Sequence, residues 1–90
     1  MKFSNPDVIR ITEIKQYFLD PPYSFKLYNE AAALLKECIS ILHKYPAIEP
    51  SFYDHLDILV ADMEIHKTDR TKLRSTLHKA GTLIGGLNNK

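Results

Sequence analysis

The chain of 90 residues has no tryptophan, three glycines, one cysteine and a formal net charge of only +1. Each scarcity excludes something. A single thiol, Cys38, closes no internal disulfide and supplies no Cys-rich zinc site. Twelve basic residues stand against 11 acidic ones, which argues against a general polyanion binder but leaves room for a local patch. No uninterrupted apolar run approaches the ~20 residues that span a bilayer. The opening Met1-Lys2-Phe3-Ser4-Asn5-Pro6-Asp7 lacks the apolar stretch of a secretion signal. The expectation is a small, soluble, cytoplasmic protein forming one domain over residues 1–90. Area scaling has such a chain bury about 64% of its unfolded surface. That suffices for one modest core and suits a deep-clefted two-layer enzyme poorly.

What is present is punctuation by proline, which lacks an N–H and clashes with the preceding turn. Pro6, the Pro21-Pro22 pair, Pro46 and Pro50 divide the chain into four helical segments. The first is predicted over 6–19, with Asn5 as N-cap, Pro6 at the first position and Asp7 at the positive end. Its apolar residues are Val8, Ile11, Ile14 and Phe18. The second is predicted over 25–44, with Ser24 as N-cap. Its 27-31-34-38-41-45 spacing is a sustained apolar seam, and Leu35 and Leu42 also belong to the apolar side. The third is predicted over 51–66, with Phe52, Leu56, Leu59, Val60 and Met63 as its stripe and Ile48 as a staple on the incoming chain. The fourth is predicted over 69–84, capped by Thr68 and stopped by a left-handed cap at Gly85-Gly86. Its stripe is Leu73, Leu77, Ala80, Ile84 and Leu87. No segment alternates like a strand, and the connections are short. The expected fold is all-α, an antiparallel up-down four-helix bundle whose first helix is the shortest and least secure.

Candidate chemistry is thin. Asp62 and His66 are i,i+4 neighbours, but two adjacent ligands make half a metal site. The other histidines, His43, His55 and His78, join no cluster with them. Cys38 sits on the apolar seam, where burial makes an inert thiol. Asp54 and Asp57 share a polar face, where solvent keeps both ionised, so general acid–base chemistry has no pair of contrasting environments. No nucleophile elbow or phosphate loop is present. The expectation is no enzyme, no cofactor, no metal and no small-molecule substrate. Tyr17, Tyr23, Tyr28, Tyr45 and Tyr53 suit either the closing of bundle ends or partner contacts.

Charge is polarised along the chain. Residues 46–66 hold five acids (Glu49, Asp54, Asp57, Asp62, Glu64) and no Lys or Arg. Residues 67–90 hold six bases (Lys67, Arg70, Lys72, Arg74, Lys79, Lys90) and one acid, Asp69. Either the rims of helices three and four attract each other, or helix four offers a basic surface to an anionic partner. On the helical wheel, Arg70 and Arg74 fall on one flank, with His78 beyond them, and Lys72 and Lys79 fall on the other. Only one flank can face helix three. A helix-turn-helix reading would place the turn at residues 65–68. It is weakened because helix four carries no Asn or Gln before its end, so no nucleic-acid partner is expected.

The chain resembles the enterocin A immunity group, which protects against pediocin-like (class IIa) bacteriocins. The resemblance covers roughly residues 11–88. It rests on Asp20-Pro21-Pro22-Tyr23-Ser24, on a long second helix ending Lys44-Tyr45, and on Pro46-Ala47-Ile48-Glu49-Pro50. It continues through the Leu56/Leu59 helix and closes with Leu77-His78-Lys79-Ala80-Gly81-Thr82-Leu83-Ile84-Gly85-Gly86-Leu87-Asn88. It implies a cytoplasmic helical bundle that recognises the mannose phosphotransferase permease when a bacteriocin has engaged it, and blocks the lethal opening. It also admits peripheral contact with the membrane. In that family the C-terminal half sets which bacteriocin is countered. Carried here, this points to Arg70, Arg74, His78, Lys79, Thr82, Asn88 and Asn89. Without the resemblance, the chain reads as a small helical adaptor or inhibitor of phage or plasmid type, or as a basic-helix nucleic-acid module.

Overall fold

A computed structural model describes residues 3–87. It contains four helices, α1 (Asn5–Leu19), α2 (Leu27–Leu42), α3 (Pro50–Ile65) and α4 (Arg70–Leu87), and no strand among the described residues. Helix α1 packs against α4 and α2, and α3 packs against the same two neighbours. The four therefore enclose one core. Ile11, Ile14 and Phe18 of α1 meet Leu35, Cys38 and Leu42 of α2, Leu56 and Met63 of α3, and Leu77, Ala80 and Ile84 of α4 there. The first helix is the shortest, with 15 residues, yet those three side chains are wholly buried. It is an integral wall of the core.

Several ends differ from the sequence expectation. Ser4, not Asn5, occupies the N-cap position of α1, and Pro6 lies in its first turn. The Ser4 hydroxyl makes no cap bond; it lies 3.3 Å from Tyr45 Oη, which accepts the Ser4 N–H at 3.0 Å. Helix α2 starts at Leu27, since Ser24 instead closes a local turn. Its Oγ accepts the Lys26 N–H at 3.1 Å and bonds Glu30 Oε1 at 3.0 Å. The cap of α4 is Asp69, whose carboxylate accepts the Lys72 N–H at 3.2 Å, rather than Thr68. Helix α3 starts one residue early, at Pro50, whose missing N–H costs nothing at a helix start.

The glycine pair does not stop α4. The helix runs through Gly85 and Gly86 to Leu87, and no described glycine has a positive φ. Leu87 is buried beside Ile48, so continuing the helix adds an apolar side chain to the core. Gly81 instead sets the distance between α4 and α1. A Cβ there would lie 2.9 Å from Leu19 Cγ and 3.1 Å from the Leu19 backbone nitrogen.

The buried stripe of α2 is Leu27, Ala31, Leu35, Cys38 and Leu42, one position over from the expected seam at 34, 41 and 45. Leu34, Ile41 and Tyr45 are half-buried at its edge. On α1 and α3, Val8 and Val60 face outward. Asp7 is buried in place of Val8 because its carboxylate ties α1 to the end of α2. It accepts from Tyr45 Oη and, at 2.9 Å, from Lys44 Nζ. Phe3 closes the same corner edge-on against Tyr45, with ring centroids 4.7 Å apart. Further along, Arg10 grips Glu37 through two nitrogens, one of them at 2.8 Å.

The hydrogen bond from Tyr45, then that from Lys44, hold the Asp7 carboxyl below its ordinary value. Arg10 does the same to Glu37. A carboxyl whose value is depressed by folding adds stability above its unfolded pKa, and this is lost as pH falls through the folded one. The wild type should therefore lose stability below about pH 4. Asp7→Asn should be less stable at neutral pH and should show a shallower acid limb in urea titrations. Glu37→Gln supplies the other part of that limb. Unchanged slopes in both variants would contradict these assignments.

Candidate functional site

The α1–α2 connection is shaped by its own residues. Pro21 and Pro22 fix φ, and Ser24 closes the turn described above. Pro21 is buried, and its carbonyl accepts Arg74 Nη1 at 2.7 Å. This anchors the connection to α4 and turns the next two aromatics outward. Tyr23 is 86% exposed and Phe25 is 98% exposed.

Each of these rings is backed by a cation from helix α4. The Arg74 guanidinium lies 4.3 Å from the Tyr23 ring centroid, and that of Arg70 lies 5.1 Å from Phe25. A third, longer pair sets Lys67 Nζ 6.0 Å from Tyr28. Contacts of this kind contribute about 0.5–1 kcal/mol each at exposed sites, so they orient the rings more than they stabilise the fold. Together they make one end of the bundle a cationic and aromatic surface.

The Arg70/Arg74 flank of α4 thus faces the α1–α2 connection. The other flank faces α3. Lys79 lines a shallow, mostly apolar groove of about 270 Å³ with His55, Ile58, Leu59 and Leu83. Attraction between the charged rims takes no pairwise form there. Among the described residues the ion pairs join Arg10 to Glu13 and Glu37, and Lys44 to Asp7. His78 and Thr82 are exposed further along α4, where Thr82 Oγ1 donates back to the His78 carbonyl at 3.0 Å. Asn88 and Asn89 lie outside the described residues. The structure thus gathers Arg70 and Arg74 into one site and leaves His78, Lys79 and Thr82 apart from it.

Neither family models, nor curated proteins, nor solved structures match this chain. The site must be read from its own chemistry.

Cys38 is fully buried, and burial pushes its thiol up to about 12, so almost no thiolate exists at neutral pH. No group of three His, Cys, Asp or Glu residues among the described ones is arranged to hold a metal. His43 lies flat on Tyr53, with ring centroids 4.6 Å apart. A second hollow, of about 350 Å³, opens between the α2–α3 connection and the end of α4, lined by Ile48, Glu49, Phe52, His55 and Leu87 among others. No helix among the described residues is long and apolar enough to cross a membrane.

Tyr23 and Phe25 are the functional candidates that sequence reasoning undervalued. Phe25 was expected inside α2 and Tyr23 at a junction. The available signal was the run Pro21-Pro22-Tyr23-Ser24-Phe25, in which prolines hold two aromatics outside any helix.

Proposed function

We propose that this chain is a recognition protein of the bacteriocin-immunity type. It acts in the cytoplasm, without catalysis or a cofactor, on a mannose-type permease engaged by a pediocin-like bacteriocin. The observation that carries the reading is the exposed cationic and aromatic end, where Arg70 and Arg74 of the C-terminal helix hold Tyr23 and Phe25 toward solvent. Exposed aromatics beside arginine are the residue types that dominate binding hot spots. The site therefore joins the C-terminal helix to the Pro-Pro-Tyr-Ser segment, both part of the resemblance to the immunity group.

The reading takes the helices to alternate up and down. Supporting this order, Asp7 meets Lys44 while Arg10 meets Glu37, and Leu19 lies by Gly81 while Lys15 lies by Gly85. The connections between α1 and α2 and between α3 and α4 then share the end that carries the aromatics.

The test is expression in a strain sensitive to class IIa bacteriocins, followed by challenge with several of them. Growth in the presence of at least one is expected, and Arg70→Gln should reduce it. No protection against any would overturn the proposal. Salt-dependent retention on DNA would instead favour a nucleic-acid module.

A further inference from the structure

The exposure of Phe25 is the least economical feature of the surface. A phenylalanine 98% open to water, two residues from a tyrosine 86% open, gains almost no burial from folding. The loop nonetheless holds both outward, through two prolines, the Ser24 turn and the Arg74 bond to Pro21. We infer that Tyr23 and Phe25 insert into the headgroup region of a phospholipid surface, with Arg70 and Lys67 meeting lipid phosphates beside them.

The shape favours a lipid surface over other anionic partners. The two rings project from one end of a molecule measuring 36 × 23 × 19 Å, and the two hollows described above are lined by other residues. A nucleic-acid strand tracks a positively charged groove, and a helical peptide lies in an apolar one. A projecting pair of aromatics suits a broad, soft surface. The charges agree. Lys26, Lys67, Arg70, Lys72 and Arg74 at this end are interleaved with Asp20, Glu30, Glu64 and Asp69. That near balance gives too little counterion release to hold a polyanion. At a membrane the aromatics supply the apolar part of the binding, and only the cations nearest the phosphates need add to it. The aromatic rings with adjacent guanidinium groups match the interface, where one edge of a residue is apolar and the other wet.

This inference rests on the reading of that end as the recognition surface, and it brings α4 to the membrane face where a permease opens. The test uses the full chain with vesicles of phosphatidylcholine mixed with phosphatidylglycerol, and with phosphatidylcholine alone. Co-sedimentation with the mixed vesicles is expected, weakened by salt and by omission of the anionic lipid. Tyr23→Ser and Phe25→Ser should each weaken it about tenfold, and Arg70→Gln about fivefold. The melting temperature of Phe25→Ser should fall by no more than a few degrees, since the ring is not in the core and gives up only its exposed contact with Arg70. The chain has no tryptophan, so Phe25→Trp adds a single reporter whose emission should shift to the blue on vesicles. Absence of vesicle binding overturns the inference, as does binding that neither serine variant weakens. Protection in the bacteriocin challenge without vesicle binding overturns lipid docking alone. Vesicle binding without protection overturns the immunity reading alone.

Discussion

Phe18→Ala is expected to remove most of the stability of this domain. Its ring is the largest of the fully buried side chains, at 0% exposure, and it sets its edge against Tyr17. Truncating a buried phenylalanine costs about 3–5 kcal/mol through lost burial and the cavity left behind. A domain of this length has on the order of 5–13 kcal/mol in total. The melting temperature should fall by about 15–30 °C. Ile9→Ala, on the same helix but 62% exposed, should shift stability by less than about 0.5 kcal/mol. Circular dichroism melts of the pair decide the matter. Similar small shifts in both would mean that α1 is an appendage and not a wall of the core.

Gly81→Ala and Gly86→Ala should move stability in opposite directions. Gly81 lies in the interior of α4, where propensity alone favours alanine by about 1 kcal/mol, whereas Gly86 lies in the last turn, where the preference is weaker. At Gly86 nothing lies within 4 Å of the new methyl, so a small gain of about 0.3–0.5 kcal/mol is expected. At Gly81 the methyl meets Leu19, including its backbone nitrogen at 3.1 Å. The leucine side chain can turn aside, but the backbone yields only if α1 shifts. Overpacking of this kind costs roughly 1–3 kcal/mol, which against the propensity gain leaves a net loss of up to about 2 kcal/mol. A gain at both positions would show that the α1–α4 spacing is soft.

The helices were legible because proline and period act locally. Pro6, Pro21, Pro22, Pro46 and Pro50 bear on their own turns, and the apolar stripes repeat within single helices. The rest depended on neighbours. Leu34 and Leu35 are adjacent and equally apolar, so α2 alone does not say which faces in. Packing against α1 and α3 selects Leu35, with Ala31, Cys38 and Leu42 following at helical spacing. Gly85-Gly86 reads locally as a stop, yet Leu87 beyond it finds a buried place and draws the helix on. Asp7 reads as a charge at a helix start, and only Lys44 and Tyr45, far along the chain, explain its burial.

The candidate site divides in the same way. Arg70 and Arg74 could be placed on one flank of α4 by counting around the wheel. That this flank meets residues 21–25 could not be counted, because the contact spans about fifty residues of chain. Phe25, two residues before an apolar seam, reads as the first residue of the second helix. Its exposure follows from the turn made by Ser24 and from α2 starting at Leu27.

The burial of Cys38 gives the molecule a built-in clock for its own opening. A sealed thiol that stays protonated at neutral pH cannot meet an alkylating reagent until the four helices part. The rate of its modification under native conditions therefore counts the rare excursions in which the core opens to water. Where reclosing is fast, that rate reports the free energy of opening. Where the reagent outpaces reclosing, it reports how often the molecule unfolds.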